Sequence, residues 1–178
     1  MSVLRSLAYA FTAAVCFIAS LALGGCKSVN NDVTPSVPVN LNLGSPDLWN
    51  TYGVEGFGNY RVFIKSLRVP ADFPYSANSA TGYGGVLLIN GVNPFTSEAG
   101  VPMAYDLSCP VENSPDIRVS MQADGLVPVA VCPDCGSHYD VVERGGSPAS
   151  GPALGEKRGL RRFECRPGPY GGYLIVNF

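Results

Sequence analysis

Cysteine carries the most versatile chemistry in this sequence, and its placement is uneven. Of six cysteines, Cys16 lies inside an apolar N-terminal run and Cys26 at its end, which leaves Cys109, Cys132, Cys135 and Cys165 for a folded domain. Cys132 and Cys135 are separated by Pro133 and Asp134, a spacing at which two thiolates can chelate one tetrahedral ion from a tight turn. The same thiols could instead close a disulfide, the ordinary fate of cysteine in an exported protein. Spacing alone leaves both readings open. A metal would need further donors, and the candidates are Cys109, Glu112, Asp134 and His138, the single histidine. Ser137, His138 and Asp140 also stand close together, but neighbours on a strand alternate faces while a nucleophilic triad needs convergent side chains. No catalytic residues are assigned, and the chain reads as a binding module rather than an enzyme.

The residues around these thiols narrow the choice. Cys132-Pro133-Asp134-Cys135-Gly136-Ser137-His138-Tyr139-Asp140 resembles the second cluster-binding loop of Rieske iron–sulfur proteins, Cys-Pro-x-His-Gly-Ser-x-Phe/Tyr-Asp, with Cys135 where the family has histidine. Upstream, Cys109-Pro110-Val111 stands where the family has Cys-x-His, so Val111 occupies the other histidine position. Downstream, Gly145-Gly146, Gly151-Pro152-Ala153 and Leu160-Arg161-Arg162-Phe163 resemble the family's closing glycine turn, Gly-Pro-Ala loop and last strand. The resemblance covers roughly residues 85–178.

The resemblance implies an all-β fold, a Rieske-like antiparallel β-sandwich or barrel with two cluster-type loops at one end, binding a 2Fe-2S cluster through two cysteines and two histidines. Carried over, Cys109 and Cys132 keep cysteine-ligand positions and Cys135 stands as a third candidate. Gly136, Ser137, Tyr139 and Pro152 match the residues that shape the surroundings of the cluster. Both histidines are gone, and valine cannot ligate iron. The expectation is therefore a non-catalytic binding or structural module without the standard cluster. The alternative is an electron-transfer protein holding a 2Fe-2S cluster, or one zinc or iron ion, with altered ligation.

The elements that must position these loops come next. Arg5 followed by an apolar run from Leu7 to Leu23 reads as an export signal, and Leu23-Gly24-Gly25-Cys26 resembles a bacterial lipobox, so Cys26 is the expected lipid attachment site. The run is short for a bilayer span, which takes roughly 20 apolar residues. The expected location is the cell envelope, on its periplasmic or surface face, with the membrane as a partner through Cys26 and an envelope redox or binding protein as a second. The expected boundaries are a signal at 1–25, lipidated cysteine and flexible tether at 26–48, and a Rieske-like β domain at 49–178, since residues 27–38 are polar and proline-containing.

From Trp49 onward, short β-type runs recur: residues 60–64, 85–90, 102–107, 118–121, 128–131, 139–142, 161–165 and 173–177. Asn90-Gly91 and Gly171-Gly172 are the candidate hairpin turns, and Cys165 should face the core from its strand. The 21 glycines and 15 prolines suit tight turns between such strands, with little helix. A net charge of −2 with interleaved signs offers no basic stripe for a phosphate backbone, so nucleic acid is excluded as a partner.

Overall fold

The computed structural model describes residues 28–124 and 127–177. The expected signal segment and Cys26, the expected lipid attachment site, lie outside the described residues. Among the described residues no helix is long and apolar enough to cross a membrane.

The strand runs form an all-β architecture of two antiparallel sheets. The larger contains seven strands: β1 (Val39–Leu43), β2 (Tyr60–Phe63), β3 (Ala80–Thr81), β4 (Val86–Val92), β5 (Ala99–Asp106), β10 (Arg162–Pro167) and β11 (Tyr173–Val176), in the order β2-β4-β5-β10-β11-β1-β3. Its two edges approach each other where the Lys65 amide meets Thr81 Oγ1 at 3.2 Å and Lys65 Nζ donates to the Ser79 carbonyl at 2.6 Å, so the sheet curls into a nearly closed barrel. The smaller sheet, β6 (Ser120–Asp124), β7 (Val127–Val131), β8 (His138–Asp140) and β9 (Ser147–Ser150), is inserted between β5 and β10. The chain leaves the barrel through the loop 107–119 and returns through the short helix α2 (Pro152–Glu156). The other helix, α1 (Pro46–Tyr52), starts with Ser45 Oγ accepting from the Leu48 amide.

Strand β4 explains why residues 86–89 read as unbroken hydrophobic sequence. Val86 and Leu88 point into the barrel with Leu41, Phe63, Phe163 and Ile175, while Leu87 and Ile89 point outward to Tyr105, Tyr139, Val141 and Leu160 beneath the small sheet. A strand buried on both faces has no polar alternation to display. The outward cluster also contains Cys109 and Cys132, so the thiols belong to the layer where barrel and small sheet meet.

Two expectations are corrected. Asn90-Gly91 is not a hairpin turn: both residues lie within β4, and the β4–β5 connection falls at residues 93–98. Asn90 is buried, its amide donating to the carbonyls of Val54 and Gly100. A β-carbon on Gly91 would stand 2.3 Å from the Val142 carbonyl oxygen. This glycine permits a close backbone approach. Gly171-Gly172 does lie in a turn, between β10 and β11, with both φ angles positive.

The flexible tether is also shorter than expected. Val39, Leu41 and Leu43 fill the barrel from β1, which pairs with β11, and Trp49 lies within α1 rather than at a strand onset. Residues 30–34 are pinned by hydrogen bonds instead of apolar burial. The Asn30 amide donates to the Lys157 carbonyl at 2.8 Å, and Arg161 donates from Nε and Nη2 to the Thr34 carbonyl at 2.9 and 2.7 Å. Asn31 Nδ2 donates to the Leu160 carbonyl at 2.7 Å.

Candidate metal centre

Two loops supply the thiols. In the first, the Cys109 amide donates to the Ile117 carbonyl at 3.0 Å and the Asn113 amide to the Cys109 carbonyl at 2.8 Å, which turns the chain back after β5. Its base is held by Asp106. This fully buried carboxylate accepts from the amides of Tyr83 (2.9 Å), Gly84 (3.0 Å) and Ser108 (2.8 Å) and from Ser108 Oγ (2.6 Å). Asp106 thus ties the strand carrying the first cysteine loop to the turn before β4. Sequence reading missed it, since an aspartate ending a strand reads as a turn residue; the neighbouring Ser108 and the paired glycines Gly84-Gly85 were the available signal.

In the second loop, which joins β7 to β8, the Cys132 amide donates to the Ser137 carbonyl at 2.9 Å and the Gly136 amide to the Cys132 carbonyl at 3.1 Å. Gly136 takes a φ of +65°, the left-handed conformation that a side chain disfavours. The third wall is the Gly-Pro-Ala turn. Gly151, φ +76°, lies so close that a β-carbon there would stand 2.7 Å from Ser137 Cα, and the Ala153 amide donates to Ser137 Oγ at 3.0 Å. Pro152 itself is exposed and only starts the helix.

Together these loops bring Cys109, Cys132 and Cys135 into one group whose sulfurs all lie within 4.8 Å of one another. Cys109 and Cys132 are buried and Cys135 is half-buried. The Cys109 and Cys135 sulfurs are 3.7 Å apart. Each sulfur has a hydrogen-bonding neighbour: Tyr139 Oη lies 3.3 Å from Cys109 Sγ, Ser137 Oγ lies 3.2 Å from Cys135 Sγ, and the backbone amides of Asp134 and Cys135 act on Cys132. Cys135 Sγ donates to Ser137 Oγ, which also accepts from the Ala153 amide. At Cys132 the two amides favour thiolate, yet burial outweighs them and pushes its thiol up to about 12. Burial, followed by the nearby Cys109, also raises the Tyr139 phenol well above its usual range, so Tyr139 remains a protonated donor.

The remaining expected donors do not join. Among the described residues, no atom of Glu112, Asp134 or His138 belongs to the group, and Asp134 is exposed. Val111 packs against the apolar cluster. Ser137 and Tyr139 are buried while His138 and Asp140 occupy the other face, as alternation requires. Asp140 Oδ1 accepts from the amides of Val142, Glu143 and Arg144 and so shapes a turn. Cys165 lies opposite Ile175 and packs against the barrel interior, where burial, with Glu164 adding, pushes its thiol up to about 12.

All four described cysteines are free thiols, so the alternative of a formed disulfide does not hold in this structure. The contact distances nevertheless decide which bridge should form under oxidation. Metal-free protein exposed to air is expected to yield Cys109–Cys135 as the main disulfide, because these sulfurs already touch and Cys135 is the accessible one. Peptide mapping under non-reducing conditions checks this; a dominant Cys132–Cys135 bridge would contradict it.

Compared with protein-family models, with curated proteins and with solved structures, the chain yields no match.

Proposed function

We propose that this chain is a cell-envelope lipoprotein, anchored through Cys26, whose domain is a non-catalytic thiolate module of Rieske-like descent that no longer holds the standard cluster. The observation that carries the reading is the donor set: three converging sulfurs, each with a hydrogen-bonding neighbour, joined by no further His, Cys, Asp or Glu atom among the described residues. A Rieske centre requires two imidazoles on one iron. Val111 is an apolar residue packed into the cluster, and the only histidine lies outside the group, so these residues do not fit that cofactor. The retained Gly136, Ser137, Tyr139 and Gly151 around the pocket support descent from a cluster-binding loop pair. The three thiols support continued binding of a soft ion.

Anaerobic purification, followed by a visible spectrum and iron, sulfide and thiol analysis, tests the reading. The expected result is free thiols with no Rieske spectrum; two irons and two sulfides per chain would overturn it. Anchoring is tested separately. Cys26→Ser should move the protein out of the membrane fraction or block its processing, and an unacylated wild type would refute lipidation.

A further inference from the structure

The number of sulfurs, their charge and their surroundings together specify an ion class. We infer that the trio Cys109, Cys132 and Cys135 binds a trivalent, lone-pair-bearing thiophile of the arsenous acid type as a neutral, pyramidal trithiolate. This rests on the thiolate-module reading and deepens it.

Coordination number is the first argument. Zinc and ferrous iron in protein sites complete a tetrahedron, and among the described residues no further His, Cys, Asp or Glu atom joins the three sulfurs, so the fourth donor would have to be water at a half-buried site. A cuprous ion takes two or three thiolates, so coordination number alone does not reject it and the charge of the complex decides. A trivalent centre with a stereochemically active lone pair takes three sulfurs and fills the fourth direction itself, so an apolar neighbour such as Val111 costs it nothing. Three sulfurs held pyramidally at about 2.3 Å from one ion stand about 3.5 Å apart. The Cys109–Cys135 pair, at 3.7 Å, is already near that spacing, and Cys132, within 4.8 Å of both, must draw in by about 1 Å at most.

Charge is the second argument. The trio lies in the apolar layer between barrel and small sheet, two of its sulfurs buried, with phenol, hydroxyl and amide groups as its polar contacts. Arg158 reaches the Pro110 carbonyl at 3.1 Å, but its charge is paired with Glu156 at 2.7 Å. Three thiolates around a monovalent ion carry a charge of −2 and around a divalent ion −1, each costly to bury without a counter-cation. Around a trivalent ion the sum is zero.

The step balances without an oxidant. Three As–O bonds of arsenous acid break and three As–S bonds form. Each thiol proton leaves with a hydroxyl as water, and neither arsenic nor sulfur changes oxidation state.

The experiment presents the full chain, reduced and anaerobic, with arsenite alone and then with arsenite against an equimolar amount of zinc. X-ray absorption at arsenic should find three sulfur neighbours and no oxygen, free thiols should fall by three, and zinc should not compete. Cys109→Ser, Cys132→Ser and Cys135→Ser should each weaken binding by roughly a hundredfold, since a two-sulfur complex loses one intramolecular contact, whereas Cys165→Ser should leave it unchanged. The wild-type absorption spectrum needs no variant and holds even if one serine variant misfolds. Two sulfurs and one oxygen at arsenic, or displacement by zinc, would overturn the inference while leaving a thiolate module. Failure of every ion to bind would remove both.

Discussion

The double variant Val111→His with Cys135→His, reconstituted anaerobically with iron and sulfide, is expected to take up about two irons per chain and to give a Rieske-type electron paramagnetic resonance signal on reduction. The wild type is expected to give neither. The expectation rests on the Rieske-like descent proposed above and on what surrounds the thiols. Cys109 and Cys132 are buried side by side, Tyr139 Oη lies 3.3 Å from Cys109 Sγ, and Ser137 is fixed by the Ala153 amide, so the introduced imidazoles would meet a preformed surround. Each single variant should fail, because one imidazole does not supply the two-nitrogen iron site. A folded double variant that takes up no iron would mean that the two loops no longer converge as a cluster requires.

Replacing Asp106 by alanine should be the most damaging single change to stability, a loss of about 3 kcal/mol or more. It strands three backbone amides and one hydroxyl that now share a fully buried carboxylate, and each unsatisfied buried group costs roughly 1–3 kcal/mol. Asp106→Asn retains one acceptor oxygen and should lose less. Urea denaturation measures both; the midpoint should fall without a change in slope. The loss should also reach the thiols, since Ser108 precedes Cys109, and faster alkylation of Cys109 in Asp106→Asn would report it. A change below about 1 kcal/mol for the alanine variant would show that water replaces the carboxylate.

What the sequence disclosed and what it hid follow from the kind of force involved. The runs at residues 60–64, 85–90 and 173–177 were legible because each buries apolar side chains, Phe63 and Ile64, Val86 to Ile89, and Ile175, and burial leaves a pattern in hydropathy. Residues 30–34 were misread as tether because their order comes from carbonyls captured by Arg161 and from the Asn30 and Asn31 bonds, and a backbone carbonyl has no signature in a side-chain alphabet. Val39 to Leu43 alternates as a strand should, yet its two asparagines and the prolines before it masked a five-residue signal. Gly91 failed for a related reason: Asn-Gly signals a turn locally, while the close passage of the Val142 carbonyl is set by chain far away. At the site, the three cysteines and the Ser137 and Tyr139 hydroxyls were legible from their motif. Asp106 was not, because its partners come together only through the fold.

The pinning of the N-terminal segment also fixes a leash. If Cys26 carries the lipid, only residues 27–29 separate it from Asn30, whose amide and carbonyl bond to Lys157 and Gly159 on either side of Arg158. Four extended steps reach about 14 Å at most. Arg158 in turn touches Pro110, the neighbour of Cys109. The end of the domain that carries the thiols would therefore ride close above the lipid headgroups. The rim of the barrel far from Arg158 would be the part presented outward.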